Sequence, residues 1–345
     1  MESQITILDG AMGTLLCDTT SPEASTSPLW SSADLLQSSG RLTDIHKMYL
    51  TAGADILSTA TYQLSRDSLL RAGVTEEEKV KETHAVGMSL ALEAMHGYDV
   101  QAQGTGIARS PGSVALSLGP FGAFLQPSQE YSGIYPTPYD KGGANAVESL
   151  RDWHYKRLHM FKTASPTAFE GMQILAFETV PWKRVDEIKA IRQVIDSEEN
   201  RSKKAWISMV YAEEPSDEDV KHIVKEVFQD MPPGSAPRGI GINCTKLTLA
   251  RDIARIYSDT VKELGLPQKD IFLVIYPDGG MTYDVNTKTW EYVDGVAEAE
   301  KWSDLMANIA REEAEKGCWE SIIVGGCCKT TPRHIYRLVQ KTSTS

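Results

Sequence analysis

Eight short apolar runs recur along the chain, at residues 5–8, 55–58, 114–118, 174–177, 206–209, 239–242, 271–276 and 321–324. They hold few charges and are rich in Ile, Val, Leu and Ala, which is how strands buried on both faces read. Between them lie segments of helical character at 43–51, 76–95, 144–161, 183–195, 217–228, 247–264, 296–316 and 332–339. Eight alternating units predict an α/β fold: a single-domain parallel (β/α)8 TIM-type barrel over residues 1–345, with the active site at the carboxyl ends of its strands. An open doubly wound sheet satisfies the same periodicity. Two long segments leave carboxyl ends of strands and are expected to cover the site as lids: 18–41, Ser/Thr/Pro-rich around Leu29-Trp30, and 119–143, with Gly, Pro and three tyrosines. The polar stretch 100–112 falls on the opposite face and reads as an inert insertion.

Residues at the predicted strand ends are chemically distinctive. Asp9 follows the first run, Glu178 the fourth, Cys244 the sixth, and Cys327-Cys328 the eighth, after Gly325-Gly326. A cysteine at one strand end and a pair at another make a three-thiolate site for a soft metal. Zinc is the natural candidate, because three protein ligands leave it one open position. Isolated cysteines more often behave as small buried hydrophobes, and Cys17 and Cys318, which lack this setting, are read as structural. Asp9 in a Gly-rich turn reads equally as a solvated turn residue, and Glu178 as a helix cap. His46 and His154 fall on helical segments without a second histidine at ligand spacing, so packing roles are expected for both.

The five cysteines are an odd, sparse set in 345 residues and do not form a disulfide framework. Free thiols and a reducing, cytoplasmic location are expected, and Met1-Glu2-Ser3-Gln4 lacks the basic and apolar regions of a secretory signal. The net charge of −12 argues against nucleic acid and anionic membrane surfaces as partners. No apolar run approaches the ~20 residues of a membrane span.

Taken together, these pieces resemble the homocysteine S-methyltransferase family. They are Asp9-Gly10-Ala11-Met12-Gly13-Thr14, Ala52-Gly53-Ala54-Asp55 with Thr59-Ala60-Thr61-Tyr62-Gln63, Ser117-Leu118-Gly119-Pro120, Glu130-Tyr131-Ser132-Gly133, Phe177-Glu178-Thr179, Trp206-Ile207-Ser208, Gly241-Ile242-Asn243-Cys244-Thr245, Tyr276-Pro277 and Gly325-Gly326-Cys327-Cys328. They run in family order over nearly the whole chain. The Gly-x-Asn-Cys and Gly-Gly-Cys-Cys pair is the specific part. The resemblance implies a homocysteine-binding barrel with zinc on Cys244, Cys327 and Cys328, converting homocysteine to methionine. It implies recognition of the homocysteine amine near Asp9 and Glu178, with Thr61, Tyr62 and Asn243 also in substrate binding. The methyl donor is expected to be a sulfonium, S-methylmethionine first and S-adenosylmethionine next, held by Tyr62, Trp30 or Tyr131 through cation–π attraction.

Two departures from the family pattern stand out. Ala60 replaces a common Asn, and Asp278-Gly279-Gly280-Met281 follows Tyr276-Pro277 where Asn-Ser-Gly-Glu is common. Betaine, a quaternary ammonium used by a related branch, is the alternative donor; that branch is more aromatic where this chain has Gln63. A non-catalytic barrel with a structural zinc is the alternative to an enzyme. Structural zinc usually takes four protein ligands, and the sequence offers three. The sequence leaves oligomeric state open.

Overall fold

The computed structural model describes residues 3–19, 27, 29–37, 39–104, 112–232, 234–284, 289–292 and 298–343. Ten strands are present among them: β1 (Gln4–Ile7), β2 (Ile56–Ser58), β3 (Ser113–Leu118), β4 (Ile174–Pro181), β5 (Lys204–Val210), β6 (Arg238–Asn243), β7 (Ile271–Tyr276), β8 (Met281–Asp284), β9 (Thr289–Tyr292) and β10 (Ser321–Val324). Eight pair in parallel in the order β1-β10-β7-β6-β5-β4-β3-β2. The two ends of that order meet. Leu8 bridges Ile56, Asp9 N–H donates to Ile56 O at 3.0 Å, and Asp55 N–H donates to Ile7 O at 2.7 Å. The sheet is therefore a closed eight-stranded barrel, which removes the doubly wound alternative.

The strands alternate as barrel geometry requires. One set of residues, including Leu8, Ile56, Ala115, Ile174, Ala176, Trp206, Phe272, Val274, Tyr276 and Ile323, packs together inside the barrel. Their neighbours, including Ile7, Leu57, Leu116, Leu175, Ile207, Ile240, Leu273 and Val324, pack outward against the helices. β6 shows why small residues interrupt the pattern: a Cβ on Gly239 would collide with the Phe272 ring. Continued toward the carboxyl ends, the inward series turns polar, through Ser58, Ser117, Glu178, Ser208 and Asn243. The alternation that fills the core thus also delivers polar side chains to one mouth.

Each predicted helix is present. Asp217–Phe228 and Leu247–Leu264 keep their expected limits, and the others shift by a few residues. The largest extension is Glu77–Gly104, so the first part of the supposed 100–112 insertion is helical, while 105–111 lie outside the described residues. The segment 18–41 contains a 3-10 turn at Trp30–Ser32 and a short helix at Asp34–Gln37; residues 20–26, 28 and 38 lie outside the described residues. The antiparallel β8–β9 pair was not signalled by the apolar pattern, since it sits outside the barrel. Among the described residues, no helix is long and apolar enough to cross a membrane.

Candidate active site

β7 lies between β6 and β10, so the loops after those two strands meet over its end. Cys244 follows β6 directly in a left-handed conformation, φ 46°. Cys327 and Cys328 follow β10 in a turn rather than an extended run. Thr330 N–H and Oγ donate to Cys327 O at 3.1 and 2.6 Å, and Lys329 has φ 63°. This turn lets two adjacent cysteines face the same point. Gly325 and Gly326 serve closeness: a Cβ on Gly325 would lie 2.7 Å from Asp9 O, and one on Gly326 would strike the Thr330 side chain.

Three backbone hydrogen bonds tie the end of β7 into this junction. Asp278 N–H donates to Thr245 O at 3.1 Å, Cys327 N–H to Pro277 O at 2.9 Å, and Gly279 N–H to Cys328 O at 2.8 Å. Asp278 is thereby fixed among the three cysteines. The sulfurs of Cys244, Cys327 and Cys328 and a carboxylate oxygen of Asp278 all lie within 4.8 Å of one another. Sγ of Cys244 and Sγ of Cys328 are 3.9 Å apart. Tetrahedral thiolates around zinc, with Zn–S of about 2.3 Å, stand about 3.8 Å apart, so this pair fits. Asp278 Oδ1 is buried with no hydrogen-bond partner among the described residues, and burial pushes this carboxyl well above its ordinary range. An unpartnered buried carboxylate is costly, and a cation would relieve that cost. The cluster can hold a metal.

Sγ of Cys244 and Sγ of Cys327 lie against each other, their Cα atoms 5.5 Å apart, close enough for the pair to close as a disulfide when oxidised. The fold brings together two residues 83 apart in sequence, a pairing that the expectation of free thiols did not include. The cluster binds a metal only with that pair reduced. Cys328, Cys17 and Cys318 are free. Cys318 belongs to the core, whereas Cys17 lines an outer chamber. Burial, then the charges of Asp278 and Glu130, push the Cys328 thiol well above its ordinary value.

The sulfurs open onto an inner chamber of about 100 Å3 that is also lined by Asp9, Ser58, Tyr62, Glu130, Glu178 and Tyr276. Asp9 is buried and accepts from Ser58 N–H at 2.8 Å and Ser58 Oγ at 3.0 Å. Burial nonetheless pushes it up to about 8, and repulsion from Glu178 adds to the rise. Glu178 accepts from Ser117 Oγ, and its carboxyl is likewise raised by burial. It sits at the bulge in the β4–β5 pairing between Phe177 and Val180. Next to it Thr179 has φ 60°, a strained conformation for a β-branched residue. Bulges of this kind commonly re-aim side chains beside active sites.

The other predicted site residues fall differently. Tyr62 lines the chamber, and its buried hydroxyl has no hydrogen-bond partner among the described residues. Thr61 is buried behind the wall, donating to Ser117 O at 2.8 Å. Asn243 is also fully buried. Its Oδ1 accepts from Thr179 N–H and Ser208 Oγ, both at 2.8 Å, and its Nδ2 donates to Thr179 Oγ at 2.7 Å and toward Cys327 Sγ at 3.9 Å. His154 contacts Glu187 at 3.0 Å away from the chamber, and His46 is buried in the helix Ser39–Ala52.

Sequence reasoning missed Arg157. Its buried guanidinium donates to the carbonyls of Leu64, Gly119, Thr61 and Tyr62 at 2.8–3.0 Å and so fixes the loops after β2 and β3. Nothing local marks it among other helical arginines. The loop 119–143 is also pinned. Glu187 accepts from Phe121 N–H at 2.7 Å and Tyr135 OH at 2.6 Å, and Arg184 donates to Gly133 O at 3.0 Å and Tyr139 O at 2.6 Å. Over the inner chamber lies an outer one of about 450 Å3, lined by Trp30, Gln63, Phe124, Glu130, Tyr131 and Lys329 among others.

The homocysteine S-methyltransferase family model matches residues 6–342. The chain belongs to the homocysteine S-methyltransferase family. It is 31% identical to homocysteine S-methyltransferase 1 of Brassica oleracea, over 89% of this chain and 85% of that one. It is 31% identical to homocysteine S-methyltransferase 2 of Zea mays, over 97% and 90%. The fold superposes on the oxidized form of the Escherichia coli homocysteine methyltransferase MmuM with a TM-score of 0.70 at 25% identity, covering 98% of this chain and 96% of that one. A metallated form of that protein matches with a TM-score of 0.69 at 24% identity, covering 99% and 97%. Family membership makes this chain a methyltransferase enzyme and agrees with the single-domain barrel.

Proposed function

We propose that this chain transfers a methyl group from S-methylmethionine to homocysteine, forming methionine, at a zinc held by Cys244, Cys327 and Cys328. Asp278 stands beside the three sulfurs, and its carboxylate would give way there to the substrate thiol, so that three protein ligands leave one position open. The observation that carries this reading is that the thiol cluster opens onto the same chamber as two buried carboxylates, Asp9 and Glu178. A structural zinc site is closed on all sides, whereas these sulfurs line a cavity.

When bound, zinc lets a substrate thiol give up its proton near neutral pH. Asp9 and Glu178 pair with the homocysteine ammonium, which offsets the cost of burying two carboxylates. Asn243 and Thr61 act from behind, as positioning residues. Asn243 orients Cys327 and the strained Thr179, and Thr61 holds the loop that carries Tyr62. The homocysteine sulfur then supplies the electron pair for the new S–CH3 bond. The donor's S–CH3 bond breaks, and its electrons return to the donor sulfur. A thiolate and a sulfonium become two neutral thioethers. Charge disappears in this step, so exclusion of water favours it. Residues 29–37 and 119–143 provide that exclusion, the second as a pinned wall. Trp30, Tyr62 and Tyr131 present rings to the donor. The thiol requirement fits a cytoplasmic location.

The test is zinc content and methionine formation in wild type and Cys244→Ser, with S-methylmethionine, S-adenosylmethionine and betaine each as donor. Wild type should use S-methylmethionine best, and the variant should lose zinc and turnover together. Full activity in Cys244→Ser removes the mechanism. Retained zinc without turnover for any donor in wild type indicates a structural site.

A further inference from the structure

The inner and outer chambers share five residues: Thr14, Trp30, Glu130, Tyr131 and Cys328. Given the methyl-transfer reading above, the donor's reacting centre must sit at this junction. Its methyl group has to face a homocysteine sulfur near Cys328, while the rest of the donor extends outward. Glu130 is the only carboxylate among the five. Its Oε2 accepts from Ser128 Oγ at 2.7 Å, and no Lys or Arg pairs with it among the described residues. Burial raises the Glu130 carboxyl above its ordinary value, a cost that a neighbouring cation would offset. The described lining of the inner chamber contains Asp9, Glu130 and Glu178 and no basic side chain. Asp9 and Glu178 face the substrate ammonium, and the two basic residues of the outer chamber are engaged elsewhere, Arg71 donating to Phe124 O at 3.0 Å and Lys329 to Asp18 at 2.7 Å, so neither is paired with Glu130.

We propose that Glu130 is a specificity-determining residue that selects a cationic methyl donor, its carboxylate facing the onium centre while the rings of Trp30 and Tyr131 flank it. A ring cluster alone accepts cations and neutral apolar groups alike, whereas a carboxylate in a partly desolvated junction favours the cation strongly. The same charge disfavours anionic donors. Sulfonium and quaternary ammonium groups share this chemistry, and parallel assays with S-methylmethionine and betaine separate them.

The experiment compares wild type, Glu130→Gln and Glu130→Asp. Each is checked for wild-type zinc content and homocysteine affinity. Two ligands are measured: S-methylmethionine, by KM, and its carbon analogue with a neutral CH in place of the sulfonium sulfur, by competitive inhibition. In Glu130→Gln the KM for S-methylmethionine should rise on the order of tenfold or more, with inhibition by the neutral analogue changed less than about twofold. Glu130→Asp should recover part of the loss. Equal weakening of both ligands, or no change in either, overturns the proposal. Should the variants fail to fold, wild type decides alone: it must bind the cationic ligand at least about tenfold more tightly than the neutral one, and equal binding overturns the proposal. These outcomes are independent of Cys244→Ser, which tests the metal-centred reaction itself.

Discussion

Replacing Asp9 with Asn separates the cost of the inner chamber from its use. Burial pushes the Asp9 carboxyl from 3.8 up to about 8. Between those values the folded protein keeps a proton that the unfolded chain releases, so stability falls as pH rises. The slope is about 1.4 kcal/mol per pH unit. From 3.8 to 7 this accumulates to a ceiling of about 4 kcal/mol. The contribution is fully favourable below the unfolded value and is lost progressively on the way to 8. Asn has the same shape, accepts from Ser58 N–H, and does not titrate. Metal-free, reduced Asp9→Asn should therefore exceed wild type in stability by up to about 4 kcal/mol at pH 7, by about 1.5 kcal/mol at pH 5, and by nothing near pH 4. Urea unfolding midpoints across that range read the difference. Homocysteine affinity should fall on the order of tenfold or more in the same variant, since the ammonium loses a carboxyl that its own charge drives to ionise and pair with it. Opposed changes in stability and affinity are the signature of a site that keeps a costly group for function. Parallel stability profiles for the two proteins would refute the electrostatic argument.

Two further outcomes follow from the hydrogen-bond geometry. Tyr62→Phe removes a buried hydroxyl for which no well-formed hydrogen bond is present among the described residues, so stability should change by less than about 1 kcal/mol, while a substrate KM rises severalfold; unchanged KM values would remove Tyr62 from substrate contact. Asn243→Ala strands Thr179 N–H and Ser208 Oγ, so unfolding free energy should drop by about 2–4 kcal/mol. Zinc retention against a chelator should also weaken on the order of tenfold, and wild-type retention would show that Asn243 does not orient the ligands.

Much of the fold was legible because strands buried on both faces leave unbroken apolar runs and helices leave a different period. The limits of Asp217–Phe228 and Leu247–Leu264 could be read directly. β8 and β9 escaped, since neither Met281–Asp284 nor Thr289–Tyr292 is an unbroken apolar run. The cysteines were legible through their neighbours, two glycines at the end of one apolar run and an Asn-Cys at the end of another. Asp278 stood out only as a departure from a family pattern, with no role attached. Thr61 and Asn243 were assigned to substrate on motif grounds, yet their side chains point behind the chamber wall. A strand's period tells which residues turn inward, but it does not tell whether an inward residue near the rim reaches the cavity or braces a neighbour.

The sequence by itself determined the repeating β/α units, the barrel they imply, and the strand ends at which reactive side chains stand. Those are local properties, set by periodicity and by the residues that end each run. The predicted barrel already set the seventh strand beside the sixth and eighth, but only the tertiary structure showed Asp278 within reach of all three cysteines. It alone showed that Arg157 holds carbonyls from two distant loops, and that Cys244 and Cys327 come within bonding reach of each other. Each of these depends on pairings between segments far apart in the chain, where closure of the sheet, rather than any local preference, fixes which atoms meet.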